Sequence, residues 1–477
     1  MDEVVSQTNS ATSPGSNQLG THVEVPLNDT IPIIFIPGIM GSNIYNTVLK
    51  KSVWKVGNGI SGQVGTLTKH VGKSPADLQT ELDPLNTRVD SSGEIKVDTR
   101  LKLNEKTLRD RYWGSVHWDS YGGVLTYLQM VLNNVDLNEK PIYGMGGIGS
   151  SYAVIQQMKL QESIYEWKSI LNKQEVDKWR PQEAFSNITQ QDIEHLKAFH
   201  FPVYAMGYNW LQSSEDGAKI VSNKLDAIKK SFGGRFHKFI IVTHSLGGLL
   251  TRRLAQLRED IAGVVHGVMP AEGAAAAYRR IVTGSEDVGA LPAYVLGKNT
   301  EHVTAVLANA PGALELLPSK AYNKGKPWLF LNGSGLVNGK NLQENEVALP
   351  EFDPYKEIYK ADGVWWEMVK EELIDPANMV KRDNPKKRVK DVYKLKINDV
   401  QTFHNKITNR YHPCTYANYG HDPKFSSFGT LSWTLDQALR GLTANQMKNL
   451  PRVSAQEVEA YNQNVAKDAM YMGHGAM

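Results

Sequence analysis

One serine stands in a sequence context that would make it a nucleophile. Ser245 lies at the centre of the turn 243–247, between an apolar run at 239–242 and a helical pattern that places leucines on one face. A sharp strand–turn–helix junction strains the serine backbone and lifts its hydroxyl above the end of the sheet, the arrangement called a nucleophile elbow. The competing interpretation is an ordinary junction in which the serine caps the helix. We expect covalent catalysis at Ser245, whose oxygen would attack a carbonyl carbon.

A second stretch could stabilise the negative charge that such an attack creates. Residues 30–40 form an apolar run that leads directly into a Pro-Gly-x-x-Gly loop, and glycines leave a backbone free to turn its N–H groups toward a site. In an acyl-transfer site one oxyanion donor comes from the residue after the nucleophile and the other from a loop after an early strand. We therefore expect the two donors at Leu246 and Met40, with Ile39 as the alternative to Met40.

The acid of a catalytic triad should follow the serine in the chain. Asp422 is the best candidate because it comes after a strand-like run at 412–420. The end of that strand would lie at the edge of the sheet that carries Ser245. Any single carboxylate can equally be a solvated loop residue. The alternative acids are Glu272, Asp353 and Asp362.

The histidine should follow the acid. His474, between two glycines near the end of the chain, is the predicted base, although a Gly-His-Gly terminus is also typical of a frayed tail. His421 is disfavoured because neighbours in an extended loop point to opposite sides, so it cannot easily serve Asp422. The other histidines, less favoured by their positions, are His244, His404 and His412.

The elements around these residues predict an α/β architecture. Apolar strand patterns alternate with amphipathic helix patterns, a succession that builds a mainly parallel central sheet with helices on both faces. After residue 271 this alternation breaks, and a long insertion begins. The predicted segments are a disordered tail at 1–29, the core at 30–271, a lid or cap insertion at 272–400, a return to the core at 401–440, and a helical segment with a tail at 441–477.

Composition excludes several classes of function. A net charge of +3 over 477 residues gives no case for a nucleic-acid partner, and the basic run 381–390 is interpreted as a solvated loop. Cys414 is the only cysteine, so no intrachain disulfide can form. No apolar stretch reaches the length of a transmembrane helix, and the first twenty residues lack a signal-peptide pattern. We expect a cytoplasmic location by default, with export by a route without a signal peptide as the alternative.

The chain resembles the lecithin–cholesterol acyltransferase family and related bacterial α/β-hydrolases, including the GPI inositol-deacylase-like lipases. Residues 36–42 look like the oxyanion loop of that family, 208–210 like its Y-D-W stretch, 244–247 like its nucleophile motif, and 415–422 like the strand and loop leading toward its acid. Thr243 departs from the pattern because the family usually has glycine there. The sequence also contains no Gly-Asp-Gly-Thr-type stretch after the last core strand.

The resemblance implies a lipase, phospholipase, esterase or acyltransferase that forms an acyl-enzyme on Ser245 and requires neither a metal nor an organic cofactor. Its substrate would be a lipid or other ester, with transient contact to a membrane surface. The missing triad signature motivates a rival hypothesis, a degenerate hydrolase fold that binds a lipid or a partner. Part of the insertion is expected to cover Ser245 as a mobile lid, with apolar residues Leu314, Leu316, Leu317, Trp365 and Trp366.

Overall fold

A computed structural model describes most of the predicted core and much of the insertion. The described residues are 7–8, 21–22, 29–55, 72–101, 103–133, 189–284, 299–332, 336–337, 340–341, 346–364, 366–420 and 429–434. Asp422, His421, His474 and Trp365 lie outside them, as does the predicted C-terminal helical segment.

The strands and helices in this part of the chain are short to medium in length. The strands are β1 (Ile33–Ile36), β2 (Ile44–Asn46), β3 (Lys51–Trp54), β4 (Thr87–Val89), β5 (Val203–Ala205), β6 (Phe239–His244), β7 (Ile261–Gly267), β8 (Leu329–Asn332), β9 (Glu346–Leu349), β10 (Thr415–Asn418) and β11 (Leu431–Thr434). The helices are α1 (Pro75–Glu81), α2 (Glu105–Asp110), α3 (Trp118–Asn133), α4 (Gln190–Leu196), α5 (Ser214–Phe232), α6 (Gly247–Gln256), α7 (Ala275–Thr283), α8 (Thr300–Leu307), α9 (Pro311–Leu314), α10 (Glu371–Ile374), α11 (Met379–Asp383) and α12 (Val389–Ile407).

Shorter elements join these. Two-residue strands pair Gln7–Thr8 with Thr21–His22, Asp29–Thr30 with Phe199–His200, and Leu336–Val337 with Lys340–Asn341. The 3-10 helices are Pro84–Asn86, Thr99–Leu101, Trp113–Ser115, Gly233–Arg235 and Tyr322–Gly325, and a π-helix spans Tyr355–Tyr359.

The central sheet has the parallel arrangement that the sequence predicts. Its strand order is β10–β7–β6–β1–β5, and every neighbouring pair is parallel. In register, Val242 of β6 lies between Phe35 of β1 and Val265 of β7. Because all the strands run the same way, the residues that follow their carboxyl ends meet at one edge of the sheet. This edge carries Ser245.

Both faces of the sheet are covered, because alternate residues of one strand enter different cores. Ile34 and Ile36 belong to an apolar cluster that includes α5 and α6, whereas Ile33 and Phe35 belong to a second cluster that includes α3. Strands buried on both faces appear in the sequence as continuous apolar runs rather than as alternation. This is why the run 33–36 can be recognised as a core strand.

The insertion is not a separately packed body. Leu314, Leu317 and Trp366 lie in the same apolar cluster as Leu249 and Leu250 of the elbow helix α6. These side chains, predicted to belong to a lid, are thus buried in the core in this conformation. Whether part of the insertion moves over Ser245 stays a prediction.

The predicted boundary at residue 400 falls inside helix α12. Tyr393, Ile397, Val400 and Phe403 recur at helical spacing across the boundary, and all four side chains are buried. Downstream, β10 joins the central sheet, whereas β11 pairs in parallel with β8 of the insertion. The predicted return segment therefore contributes strands to two different sheets.

Helix α5 is fastened to the insertion at its first turn. The Ser213 side chain caps the helix and accepts the N–H of Glu215 at 3.0 Å. Both carboxylate oxygens of Glu315 lie 3.0 Å from the Ser214 nitrogen, whose N–H they accept. Glu315 is fully buried, and this burial raises its pKa to about 8. Among the described residues, no helix is both long enough and apolar enough to cross a membrane.

Candidate active site

Ser245 occupies a strained turn between β6 and α6. Its φ is +49°, in the left-handed region that a non-glycine residue adopts only when the surrounding structure holds it there. Two hydrogen bonds fix the turn: the Ser245 N–H donates to Gly267 O, and the Gly248 N–H donates to Ser245 O, both at 2.9 Å. Ser245 itself is half-buried. This is the backbone geometry of the predicted elbow rather than that of a helix-capping serine.

Two positions flanking the serine show how closely the elbow packs. A Cβ added to Gly247 would lie 2.5 Å from Pro37 O, so the helix can approach the end of β1 only with glycine at this position. Thr243 is buried, and its Oγ1 forms a 2.9 Å hydrogen bond with Nδ1 of His266 on β7. Burial lowers the pKa of His266 to about 4, so the ring is neutral at pH 7. Threonine is therefore accommodated because the neighbouring strand satisfies its hydroxyl.

The loop after β1 lies directly against the elbow. A Cβ added to Gly38 would come within 3.0 Å of Ser245 Cβ and 2.8 Å of His244 Nδ1. Met40 has a left-handed φ of +61°, and its carbonyl accepts the Trp54 indole N–H at 2.8 Å. Within the described part of the chain, neither the Met40 nor the Leu246 backbone N–H has a hydrogen-bond acceptor. Two backbone N–H groups that lack acceptors among the described residues thus belong to the elbow and to the loop that packs against it.

Tyr121, at the start of α3, joins this loop to the elbow. Its hydroxyl accepts the Gly38 N–H at 3.1 Å and lies 3.0 Å from Nδ1 of His244. Burial lowers the pKa of His244, and the tautomer of the ring decides which of the two groups donates in the Tyr121–Nδ1 hydrogen bond. The sequence carries no local signal for Tyr121, since its contacts with Gly38 and His244 join residues 83 and 123 positions apart. A local sequence pattern cannot predict a contact between residues so far apart in the chain.

The strand that precedes Asp422 ends at the same edge of the sheet as Ser245. Asn418, the last residue of β10, pairs with Gly267 of β7, and its carbonyl accepts the Val268 N–H at 2.9 Å. Gly267 in turn accepts the Ser245 N–H. The chain therefore leaves β10 two strands away from the serine. The positions of Asp422 and His474 themselves stay predictions.

Two alternative histidines are engaged by other groups. His412 donates from Nε2 to Ile261 O at 3.1 Å, and its Nδ1 accepts the Cys414 N–H. Ile261 begins β7, whereas Ser245 is level with the end of that strand, about 20 Å away at about 3.3 Å per residue. His404 is buried, with Nε2 donating to Glu315 O at 2.8 Å and Nδ1 accepting the Tyr355 hydroxyl. His412 is therefore too far from Ser245 to act as its base, and both ring nitrogens of His404 are bonded to other partners.

The alternative acids have contacts of their own. Asp353 accepts the Tyr355 N–H at 3.0 Å, and Asp362 pairs with Lys394 at 3.1 Å. Glu272 lies five residues beyond β7, and burial raises its pKa despite the nearby charge of Arg252. No described contact joins any of the three to Ser245. In the described residues, no group of three His, Cys, Asp or Glu side chains could hold a metal ion.

Comparison with solved structures shows a likeness to a known protein complex. The chain is similar to a chain in the crystal structure of the Tle4–Tli4 complex, with 31% sequence identity and a TM-score of 0.69. The match covers 86% of this chain and 78% of that chain. No family model matches the sequence, and no curated protein matches it. The likeness thus extends over most of both chains.

Proposed function

This chain belongs to the same α/β-hydrolase family as the chain of the Tle4–Tli4 complex that it matches, and from that membership we propose that it is a serine hydrolase of lipid esters. The family has a lipase-like character in general. The finer proposal is that Ser245 forms a covalent acyl-enzyme. The observation that carries it is the left-handed backbone of Ser245 at a strand–helix turn.

The first chemical step is attack by Ser245 Oγ on the ester carbonyl carbon. The new C–O bond forms as the hydroxyl proton passes to a histidine, and the carbonyl π electrons move to oxygen. Collapse of this tetrahedral intermediate breaks the bond to the alcohol, which takes the proton from the histidine. Water repeats the sequence on the acyl-enzyme and releases the carboxylic acid. An alcohol in place of water would complete an acyl transfer.

The oxyanion would be held by the N–H groups of Met40 and Leu246. Their lack of acceptors within the described residues supports this role, as does the contact of Gly38 with the serine. Each preorganised donor of this kind contributes about 3 kcal/mol to transition-state stabilisation. The Trp54 bond to the Met40 carbonyl would fix the orientation of the loop peptides.

Asp422 and His474 are proposed to complete the triad. Asp422 follows β10 by four residues in the chain, and β10 ends at the sheet edge that carries Ser245. His404 and His412 are engaged elsewhere, which favours a histidine further along the chain. His474 satisfies the order serine, acid, histidine. The Asp422 carboxylate would orient the ring, and the ring would carry the proton.

We further propose that the substrate class is a phospholipid or other long-chain ester, as in the lecithin–cholesterol acyltransferase family. The support is the resemblance at 36–42, 208–210 and 244–247. In the second of these stretches Asn209 stands where that family has aspartate. Its amide donates to Thr87 O at 3.0 Å, so here the position anchors a loop.

Labelling with a fluorophosphonate tests the proposal at its central residue. The probe should modify wild-type protein stoichiometrically and should not modify Ser245→Ala, because only an activated serine attacks phosphorus. Hydrolysis of an activated short-chain ester should fall by several orders of magnitude in the same variant.

The matched control is Ser231→Ala, which removes an exposed serine hydroxyl from the end of α5. It should label and hydrolyse like the wild type. Labelling of Ser245→Ala at the wild-type level, or retention of more than a few per cent of its ester hydrolysis, would refute the acyl-enzyme and favour a binding role.

A further inference from the structure

Exposed apolar side chains gather at one end of the small sheet β4–β2–β3. Val48 and Leu49, 65% and 39% exposed, lie in the turn between β2 and β3, and Leu85, 80% exposed, lies in the 3-10 helix Pro84–Asn86. The two segments touch, since Thr47 donates its N–H to Asn86 O at 2.8 Å. We call Val48, Leu49 and Leu85 the apolar tip.

The backbone of the apolar tip is held rigidly. The N–H groups of Val48 and Leu49 both donate to Asn46 Oδ1, at 3.0 and 2.8 Å. The Leu85 N–H donates to Asp83 Oδ1 at 3.1 Å. The fold therefore presents these side chains in a fixed arrangement. Exposed apolar side chains that form a cluster, rather than lying singly, indicate a surface that binds a protein or a membrane.

Cations lie near the apolar tip, and one of them, Lys51, is paired with Glu81 at 2.8 Å. Lys50 and Lys51 follow Leu49 directly and are exposed, and Arg88 projects from β4, where it stacks over the Tyr45 ring at 5.0 Å. The exposed basic segment 381–388 carries two arginines and three lysines with one aspartate. Its Arg382 pairs with Asp383 at 2.8 Å and also interacts electrostatically with Asp83, and its Arg388 pairs with Glu371. An apolar centre with basic residues nearby complements a layer of anionic head groups over acyl chains.

The sheet that bears the apolar tip is attached to the candidate active site. Trp54 of β3 donates to the Met40 carbonyl at 2.8 Å, and Thr87 of β4 accepts the amide of Asn209, in the loop beyond the carboxyl end of β5. The apolar tip therefore belongs to the same packed unit as the candidate active site.

We propose that the apolar tip and the cations near it dock this protein on an anionic phospholipid bilayer. The inference rests on the proposed function, since a lipid-ester hydrolase must reach substrate that is packed in a membrane. Val48 and Leu85 would enter the acyl boundary, and Lys50 and the segment 381–388 would contact lipid phosphates.

Vesicle sedimentation tests this surface without hydrolysis. The full chain carrying Ser245→Ala is mixed with vesicles of phosphatidylglycerol and phosphatidylethanolamine, with and without Val48→Gln and Leu85→Gln. Replacing two apolar side chains should weaken the partition coefficient roughly ten-fold or more. Vesicles of phosphatidylcholine alone should bind weakly, and added salt should weaken binding to the anionic vesicles.

The matched control is Phe352→Gln in the same background. Phe352 is also 80% exposed, but it precedes the π-helix Tyr355–Tyr359, which packs on α12 rather than on β2–β4. Its change should alter binding by less than about two-fold. Unchanged binding after the tip substitutions, equal loss in Phe352→Gln, or equal binding to neutral vesicles would overturn the proposal.

Hydrolysis of a soluble short-chain ester separates this proposal from the proposed function. With Ser245 intact, the tip substitutions should leave that hydrolysis within about two-fold of wild type, because the tip lies outside the acyl-transfer machinery. If wild type itself lacks ester hydrolysis, the proposed function fails, while the vesicle result still stands on its own.

Discussion

At the scale of single residues, the candidate site depends on one hydroxyl that the sequence did not reveal. The Tyr121 hydroxyl contacts both the Gly38 N–H and His244 Nδ1, and so links the two backbone segments that would hold an oxyanion. Its phenol is largely buried, which raises its pKa and keeps it protonated at every physiological pH. Tyr121 is therefore a positioning residue rather than a catalytic one.

Tyr121→Phe should lower kcat for a short-chain ester roughly ten-fold while leaving KM nearly unchanged, because the lost bond orients a transition-state donor. Stability should fall by about 1–3 kcal/mol, since the Gly38 N–H is left buried without an acceptor. Steady-state kinetics and thermal unfolding measure both effects. Tyr112→Phe, outside this network, is the control, and an equal kcat loss there would contradict the assignment.

The identity of the general base is the second question at this scale. His474→Ala should reduce ester hydrolysis by several orders of magnitude, whereas His412→Ala should leave it within about two-fold of wild type, because His412 bonds to the opposite edge of the sheet. The assay is hydrolysis of the activated ester with fluorophosphonate labelling in parallel. Wild-type rates in His474→Ala would exclude that residue as the general base.

At the scale of elements, the strand–elbow–helix unit was predictable because its signals are local. The apolar run of β6, the small residues of the turn and the leucines of α6 lie within twenty residues of one another, and burial on both faces makes β1 and β6 readable as strands. The pairing of β11 with β8 was not predictable. It joins segments about a hundred residues apart, and which sheet an apolar strand enters depends on contacts that no local pattern encodes.

The closeness of α6 to β1 makes a sharp prediction for one glycine. Gly247→Ala should lower the melting temperature strongly and abolish fluorophosphonate labelling, because the new Cβ would meet the Pro37 and Ile36 carbonyls at 2.5 and 2.7 Å. Gly123→Ala in α3 is the matched control. A Cβ there meets nothing within 4 Å, so this helical position should gain about 0.5–1 kcal/mol of stability. Normal labelling in Gly247→Ala would show that the elbow is looser than described.

At the scale of the whole molecule, the carboxyl group of Glu315 in the insertion bonds to helix α5 of the core, and this group changes its protonation state with pH. Its pKa in the folded protein is about 8, against an ordinary value of 4.5. A carboxyl whose folded pKa is raised contributes stability that is complete below the ordinary value and is lost as the pH rises through the folded pKa. The pH window of this loss is therefore about 4.5 to 8.

Glu315→Gln should remove this dependence, since an amide is neutral throughout and its oxygen can still accept the Ser214 N–H. The free energy of unfolding of the variant minus that of the wild type should increase by a few kcal/mol between pH 5 and about 8.5. Denaturant unfolding at several pH values measures it. The exposed pair formed by Lys106 and Asp110 supplies the control Asp110→Asn, which should show no such trend. A pH-independent difference would mean that Glu315 is ionised throughout.

The apolar cluster shared by α6 and the insertion limits how this chain can be divided. An insertion that has a hydrophobic core of its own can be replaced in a relative without disturbing the rest of the fold. Here Leu314 and Leu317 complete the packing around Leu249 and Leu250, so excision of the insertion would leave the elbow helix facing water. Insertion and core must then be inherited together, and substitutions in one will be tolerated only with compensating changes in the other.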